Sequence, residues 1–192
     1  MKKALIALLV CMLASPAFAE TRYQIEVLIF SQPPLSDSET PDQRPEHSAP
    51  AFPREIAWPL RPPRTLGIGP EALPASDHRL SGVANRLRNQ SGYTLIWHEA
   101  WQQTLRGSRT APAISLPSSL RPLGIEGRIR PYRQRFLHFE VDLRWHIAVA
   151  DTAEPTAFWR LAQSRRMRSG QTHYLDHPVL GVIVRIDPVA TP

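Results

Sequence analysis

The 192-residue sequence has one cysteine, Cys11, and two lysines, Lys2 and Lys3, all near its N-terminus. Beyond Cys11 there is no thiol, which excludes a disulfide framework, a thiolate metal site and a cysteine nucleophile from the rest of the chain. No Gly-x-Ser-x-Gly elbow occurs, so the commonest serine-hydrolase signature is missing too. The apolar run Ala4–Leu13 is shorter than the roughly 20 residues needed to span a bilayer.

What stands at the N-terminus is a leader pattern. Met1-Lys2-Lys3 supplies positive charge, the apolar run follows, and Ala17-Phe18-Ala19 places small residues where a signal peptidase reads. Residues 1–19 are expected to be a cleaved signal peptide, with the mature chain beginning at Glu20 and residing in the periplasm. Val10 is too bulky to precede a lipidated cysteine, which argues against a lipid anchor at Cys11.

Cleavage removes both lysines, so every fixed cation of the mature chain is an arginine: 21 arginines against 17 acids, a net charge of +4. GC-rich coding is one cause of such a bias. Selection for bidentate contacts to carboxylates or phosphates is the other. An exported basic chain meets cell-wall carboxylates, lipopolysaccharide phosphates and acidic proteins rather than nucleic acid.

Tyr23–Phe30 starts as an alternating pattern and ends fully apolar, which predicts a strand buried on both faces at its far end. Residues 31–75 hold eleven prolines in forty-five positions and read as a proline-rich loop or linker within one domain, either disordered or wrapped over the surface with Ile56, Trp58 and Leu60 as anchors. A helix is expected over Asp77–Gln90, capped by Ser76, with Leu80, Val83, Ala84 and Leu87 on one face. Tyr93–Trp101 reads as a strand with Tyr93, Leu95, Trp97 and Trp101 on one side. Ile125–Pro131 alternates weakly.

The cleanest period-two run is Leu137, Phe139, Val141, Leu143, Trp145, Ile147 and Val149, whose other face carries His138, Glu140, Asp142, Arg144 and His146. Ala157–Met167 is a strand that the Ser169-Gly170 turn sends back antiparallel as Thr172–His177. Val179–Ile186 closes the sheet and Asp187–Pro192 forms a tail. The expected fold is α+β: residues 20–192 as a single domain built on a single mainly antiparallel β-sheet, with one or few packed helices.

The densest ionisable chemistry lies in Arg165-Arg166-Met167-Arg168-Ser169-Gly170, then His173-Tyr174-Leu175-Asp176-His177-Pro178. On a strand His173 and His177 share a face but stand about 13 Å apart, too far to ligate one ion. Ser169, His173 and Asp176 are too close in sequence for a triad around a tight turn. Glu140 and Asp142 lie about 7 Å apart on one strand face, a glycosidase-like spacing, but a solvated face balanced by Arg144 is the preferred reading. No catalytic residue, metal or cofactor is assigned. Anion or glycan binding suits the residues better, because arginines hold carboxylates by charge-assisted pairs. Arg165, Arg166, Arg168, His173, Tyr174, Asp176 and His177 are therefore the candidate ligand-binding residues, with Arg128, Arg130, Arg133 and Arg135 extending the basic surface.

This run, with Gly181 after it, resembles the C-terminal hallmark of the CsiV family. The family pattern has Glu-Leu where this chain has Gln171-Thr172. The opening strand, the helix leading into Tyr93–Trp101 and the Leu137–Trp145 strand come in similar order. The resemblance implies a non-enzymatic, periplasmic peptidoglycan-binding protein. It further implies support of a class A penicillin-binding protein, acting through an outer-membrane lipoprotein activator such as LpoA. Two other readings remain: an adaptor whose basic surface docks a lipoprotein or synthase, and a metal-dependent envelope enzyme using His173, Asp176 and His177.

Overall fold

The computed structural model describes residues 21–34, 55–58, 69–147 and 157–189. The leader, Leu60 and most of the proline-rich stretch lie outside these residues. Among the described residues ten strands form two five-stranded sheets rather than the single sheet expected. Sheet one has the order β3-β4-β1-β10-β9, and sheet two the order β2-β5-β6-β7-β8. The strands are β1 (Arg22–Ser31), β2 (Glu55–Ala57), β3 (Glu71–Ala72), β4 (Thr94–Thr104), β5 (Ala113–Ser115), β6 (Ile125–Arg133), β7 (Leu137–Ile147), β8 (Ala157–Met167), β9 (Thr172–Asp176) and β10 (Leu180–Pro188). All pairings are antiparallel except the short β2–β5 pair.

The reason for two sheets is burial. Each set of alternating strands presents an apolar face that must be covered, and a nine-residue helix is only about 14 Å long. The two apolar faces cover each other instead. Ile25, Val27, Ile29, Val182, Val184 and Ile186 of sheet one share a core with Ile129, Phe139, Val141, Leu143 and Leu161 of sheet two. Trp58 closes one part of this core, its ring edge-on to Trp97 at 5.2 Å and to Trp101 at 6.0 Å. Ile56 packs there as well, so two of the three loop anchors are in place.

The helix α1 (Ser81–Asn89) covers the other face of sheet one, where Leu28, Leu80 and Ala84 are buried with Val83, Leu87, Leu95 and Ile183 against them. β1 is therefore buried from Tyr23 to Phe30, as its apolar ending predicted. The helix starts later than the sequence suggested. Ala75–Asp77 is a 3-10 turn, and Ser76 bonds the Asp77 carboxylate rather than capping a helix. The chain entering α1 is held by Glu26 of β1, whose carboxylate accepts the Arg79 N–H at 2.6 Å and the Leu80 N–H at 2.9 Å.

Three more expectations change. A register shift between Ile29 and Phe30 in the β1–β4 pairing puts Leu95 on the helix side, whereas Trp97 and Trp101 face the sandwich core. Asp187 belongs to β10, buried beside Arg185 and Arg79, so the tail begins later. The Ser169-Gly170 turn does not make a hairpin: β8 ends at the edge of sheet two, and β9 pairs with β10 at the edge of sheet one. Period-two alternation assigns faces to a strand, but it does not say which neighbour it joins.

Candidate functional site

The crossing from β8 to β9 decides how the ionisable run is displayed. Gly170 turns the chain with φ of 75°, and its N–H bonds the Ile186 carbonyl at 2.9 Å. Alternation along β9 then splits the run between two faces. His173 sits opposite Val184 of the core and Tyr174 opposite Ile183 of the helix side.

His173 lies along the seam between the two edge strands. Its Nε2 accepts the Arg168 N–H at 3.2 Å, which requires an unprotonated nitrogen. Burial and the nearby Arg165 guanidinium both hold the imidazole pKa below its ordinary value. His177 meets Trp159 edge-on at 5.9 Å and accepts the Val179 N–H on Nδ1 at 3.3 Å. Gln163 stitches the seam by donating to the Asp176 carbonyl at 2.6 Å. Among the described residues His173, Asp176 and His177 do not bring three ligand atoms together.

Tyr174 faces the other way, 41 % exposed, with its ring stacked on Phe30 at 6.1 Å and 13°. Tyr93 flanks the same Phe30 ring at 6.0 Å. The Tyr174 hydroxyl lies 2.7 Å from Asp176 Oδ1 and 2.8 Å from Gln32 Oε1, and its single proton belongs on the charged acceptor. Burial and this carboxylate push the phenol pKa up, while the hydroxyl's hydrogen bond pulls Asp176 down. Gln32 also donates to Asp176 and to the His177 carbonyl, at 3.1 and 2.7 Å. The result is an aromatic strip edged by a carboxylate and an amide. Gly181 permits it: Gly181 pairs with Phe30, and a Cβ there would overlap the Phe30 ring.

The arginines diverge. Arg165 acts on His173 at the seam, Arg168 lies at the turn, and Arg166 reaches over the exposed Phe136 ring at 4.9 Å. Arg135 covers that ring as well, at 5.4 Å. Arg165, Arg166 and Arg168 are all exposed and make no ion pair among the described residues. Three other arginines of sheet two, Arg128 and Arg130 of the expected basic surface among them, behave differently. Arg128 is paired with Glu55 at 2.7 Å, Arg130 with Glu140, and Arg160 takes Asp142 by two bonds of 2.9 and 3.2 Å. Glu140 and Asp142 are thus the counter-ions of a strand ladder. A cleft of about 240 Å³ on this face holds Arg121, Arg128 and Arg144 together with Glu55, Glu126 and Asp142, so its charges largely cancel.

Compared with protein families, residues 2–189 match the family described as Peptidoglycan-binding protein, CsiV. The chain belongs to the CsiV family. No curated protein and no solved structure matches it significantly. The match covers nearly the whole chain and takes in the strands of both sheets. Among the described residues no helix is long and apolar enough to cross a membrane.

Sequence reasoning missed Gln32, Phe30 and Tyr93 as parts of this candidate site. Gln32 was read as loop and Phe30 as core, and no local spacing joins them to Tyr174. The one available signal was Gly181 itself. A glycine amid Val, Leu and Ile on a buried strand asks what occupies the space of its missing side chain.

Proposed function

We propose that this CsiV protein binds peptidoglycan through the end of the sandwich where β8 crosses to β9. Arg165, Arg166 and Arg168 take stem-peptide carboxylates by bidentate, charge-assisted pairs. Tyr174 offers a ring face to a sugar, while Asp176 and Gln32 accept and donate hydrogen bonds to its hydroxyls. His173 holds the turn in shape through the Arg168 amide. The observation that carries this reading is a contrast among the arginines: Arg128, Arg130 and Arg160 are each paired with an acid, whereas these three make no ion pair among the described residues. In the periplasm, after removal of the leader, such a protein supports a class A wall synthase through its lipoprotein activator, without catalysing a reaction itself.

Co-sedimentation with intact sacculi tests it. Replacing Arg165, Arg166 and Arg168 together with Ala is expected to abolish pelleting while leaving the thermal transition in place. Unchanged pelleting would overturn the site. The adaptor reading predicts instead that wall binding vanishes at moderate salt, because exposed charge pairs are screened over about 8 Å at physiological ionic strength. Retention by a lipoprotein or synthase column would then take its place.

A further inference from the structure

Away from the β9 edge, on the helix side of sheet one, three side chains from separate segments meet. Glu26 comes from β1, His98 from β4, and His78 from the stretch between the 3-10 turn and α1. One carboxylate oxygen and one nitrogen of each imidazole lie within 4.8 Å of one another. Glu26 is 1 % exposed and the His98 side chain 9 %. The two imidazole rings pack edge to face at 4.7 Å. His78 Nε2 is shielded from solvent and has no hydrogen-bond partner.

From this geometry we infer that Glu26, His78 and His98 form a binding site for one divalent transition-metal ion, with zinc as the best chemical match. Two imidazoles and a carboxylate are a donor set for a borderline cation and a poor one for magnesium or calcium, which take oxygen ligands. Metal–ligand bonds of about 2.0–2.2 Å at tetrahedral angles put neighbouring donors roughly 3.3 Å apart. The 2.7 Å between Glu26 Oε1 and His98 Nε2 opens slightly on binding, and the widest pair closes by about 1.5 Å. Rotation of His78 on its loop supplies that movement.

The outer shell is already built. The Arg79 and Leu80 amides each donate to one Glu26 oxygen and fix its plane, the role that second-shell donors play around metal carboxylates. An ion at this position takes the place of the hydrogen between Glu26 and His98, and the other ring nitrogen of His98 then carries the imidazole N–H. Three protein ligands leave a fourth position for water. The ion joins β1 and β4 to the chain entering α1, and so clips the helix layer to the sandwich. A buried nitrogen without a partner is a cost to an unloaded fold, and a ligated metal removes it.

The test is zinc titration of tag-free, chelator-treated protein by calorimetry, with thermal melts in parallel. The expected result is one equivalent bound per chain and a melting temperature that rises with zinc. His78→Gln and His98→Gln should each weaken binding at least about tenfold and remove the zinc-dependent shift. His78→Gln is the decisive variant, because His78 Nε2 makes no bond whose loss would unfold the protein. His173→Gln should bind zinc as the parent does. No saturable binding overturns the proposal. So does binding that survives His78→Gln, or that disappears with His173→Gln.

Discussion

Phe30 and Gly181 are paired across β1 and β10, and the Phe30 ring fills the space where a residue-181 side chain would stand. The ring is 3 % exposed and in turn supports Tyr174. A core-like contact of this kind leaves no room for an added methyl, and overpacking costs typically 1–3 kcal/mol. Gly181→Ala is therefore expected to lower unfolding free energy by about 2 kcal/mol, measured by urea denaturation. The Phe30→Leu/Gly181→Ala double variant should recover part of that loss. Additive losses would show that the two residues do not compete for the same space.

Tyr174→Phe removes the hydroxyl that lies beside Asp176 and Gln32 and keeps the ring on Phe30. At this exposed position the stability cost should be below about 1 kcal/mol. Asp176, now without its strongest stabilising bond, should titrate closer to the ordinary carboxylate value. Sacculus binding should weaken although the fold is intact, with denaturation and pelleting measured on the same sample.

His173 should titrate below 6.5, followed through its imidazole carbon-bound protons by NMR. Arg165→Gln removes a positive neighbour and should move the midpoint upward. For stability the sign follows from linkage: a histidine with a depressed folded pKa is protonated first in the unfolded chain. Its contribution is present above the unfolded value and lost as pH falls through the window between that value and the lower folded one.

Asp187 gives the opposite end of the pH range. Burial raises its pKa, but hydrogen bonds and charge from Arg185 and Arg79 more than compensate, leaving it below 3.8. The stability it supplies is complete above the unfolded carboxylate value and disappears as pH drops through the lower folded one. Asp187→Asn is expected to cost about 1–2 kcal/mol near neutrality, after allowance for partly exposed arginines. In that variant the acid limb of the stability curve should flatten below about pH 4.

The sequence made strands legible wherever one face had to be apolar. β1, β4, β6, β7 and β10 follow from alternation, and the double burial of β1 follows from its unbroken run at Val27–Phe30. Pairing was not legible, because β8 and β9 have the same local pattern whether they form a hairpin or the rims of two sheets. The helix start was obscured for a related reason. The Arg79 and Leu80 amides just before it are met by Glu26, more than fifty residues upstream, and no local side-chain cap marks the boundary. The hallmark residues stood out by charge density, yet alternation on β9 sends His173 and Tyr174 to different faces. The charge of Arg128 and Arg130 looked available because their counter-ions, Glu55 and Glu140, come from other strands.

We propose the β8–β9 crossing as the place where the wall polymer is held. Soluble peptidoglycan fragments titrated into isotope-labelled protein give the most direct reading, through backbone and arginine side-chain NMR signals. The largest shifts are expected on Arg165, Arg166, Arg168, His173, Tyr174 and Gln32. Shifts concentrated at Arg121, Arg128 and Arg144, with residues 165–176 unmoved, would contradict it and place the ligand in the cleft of sheet two.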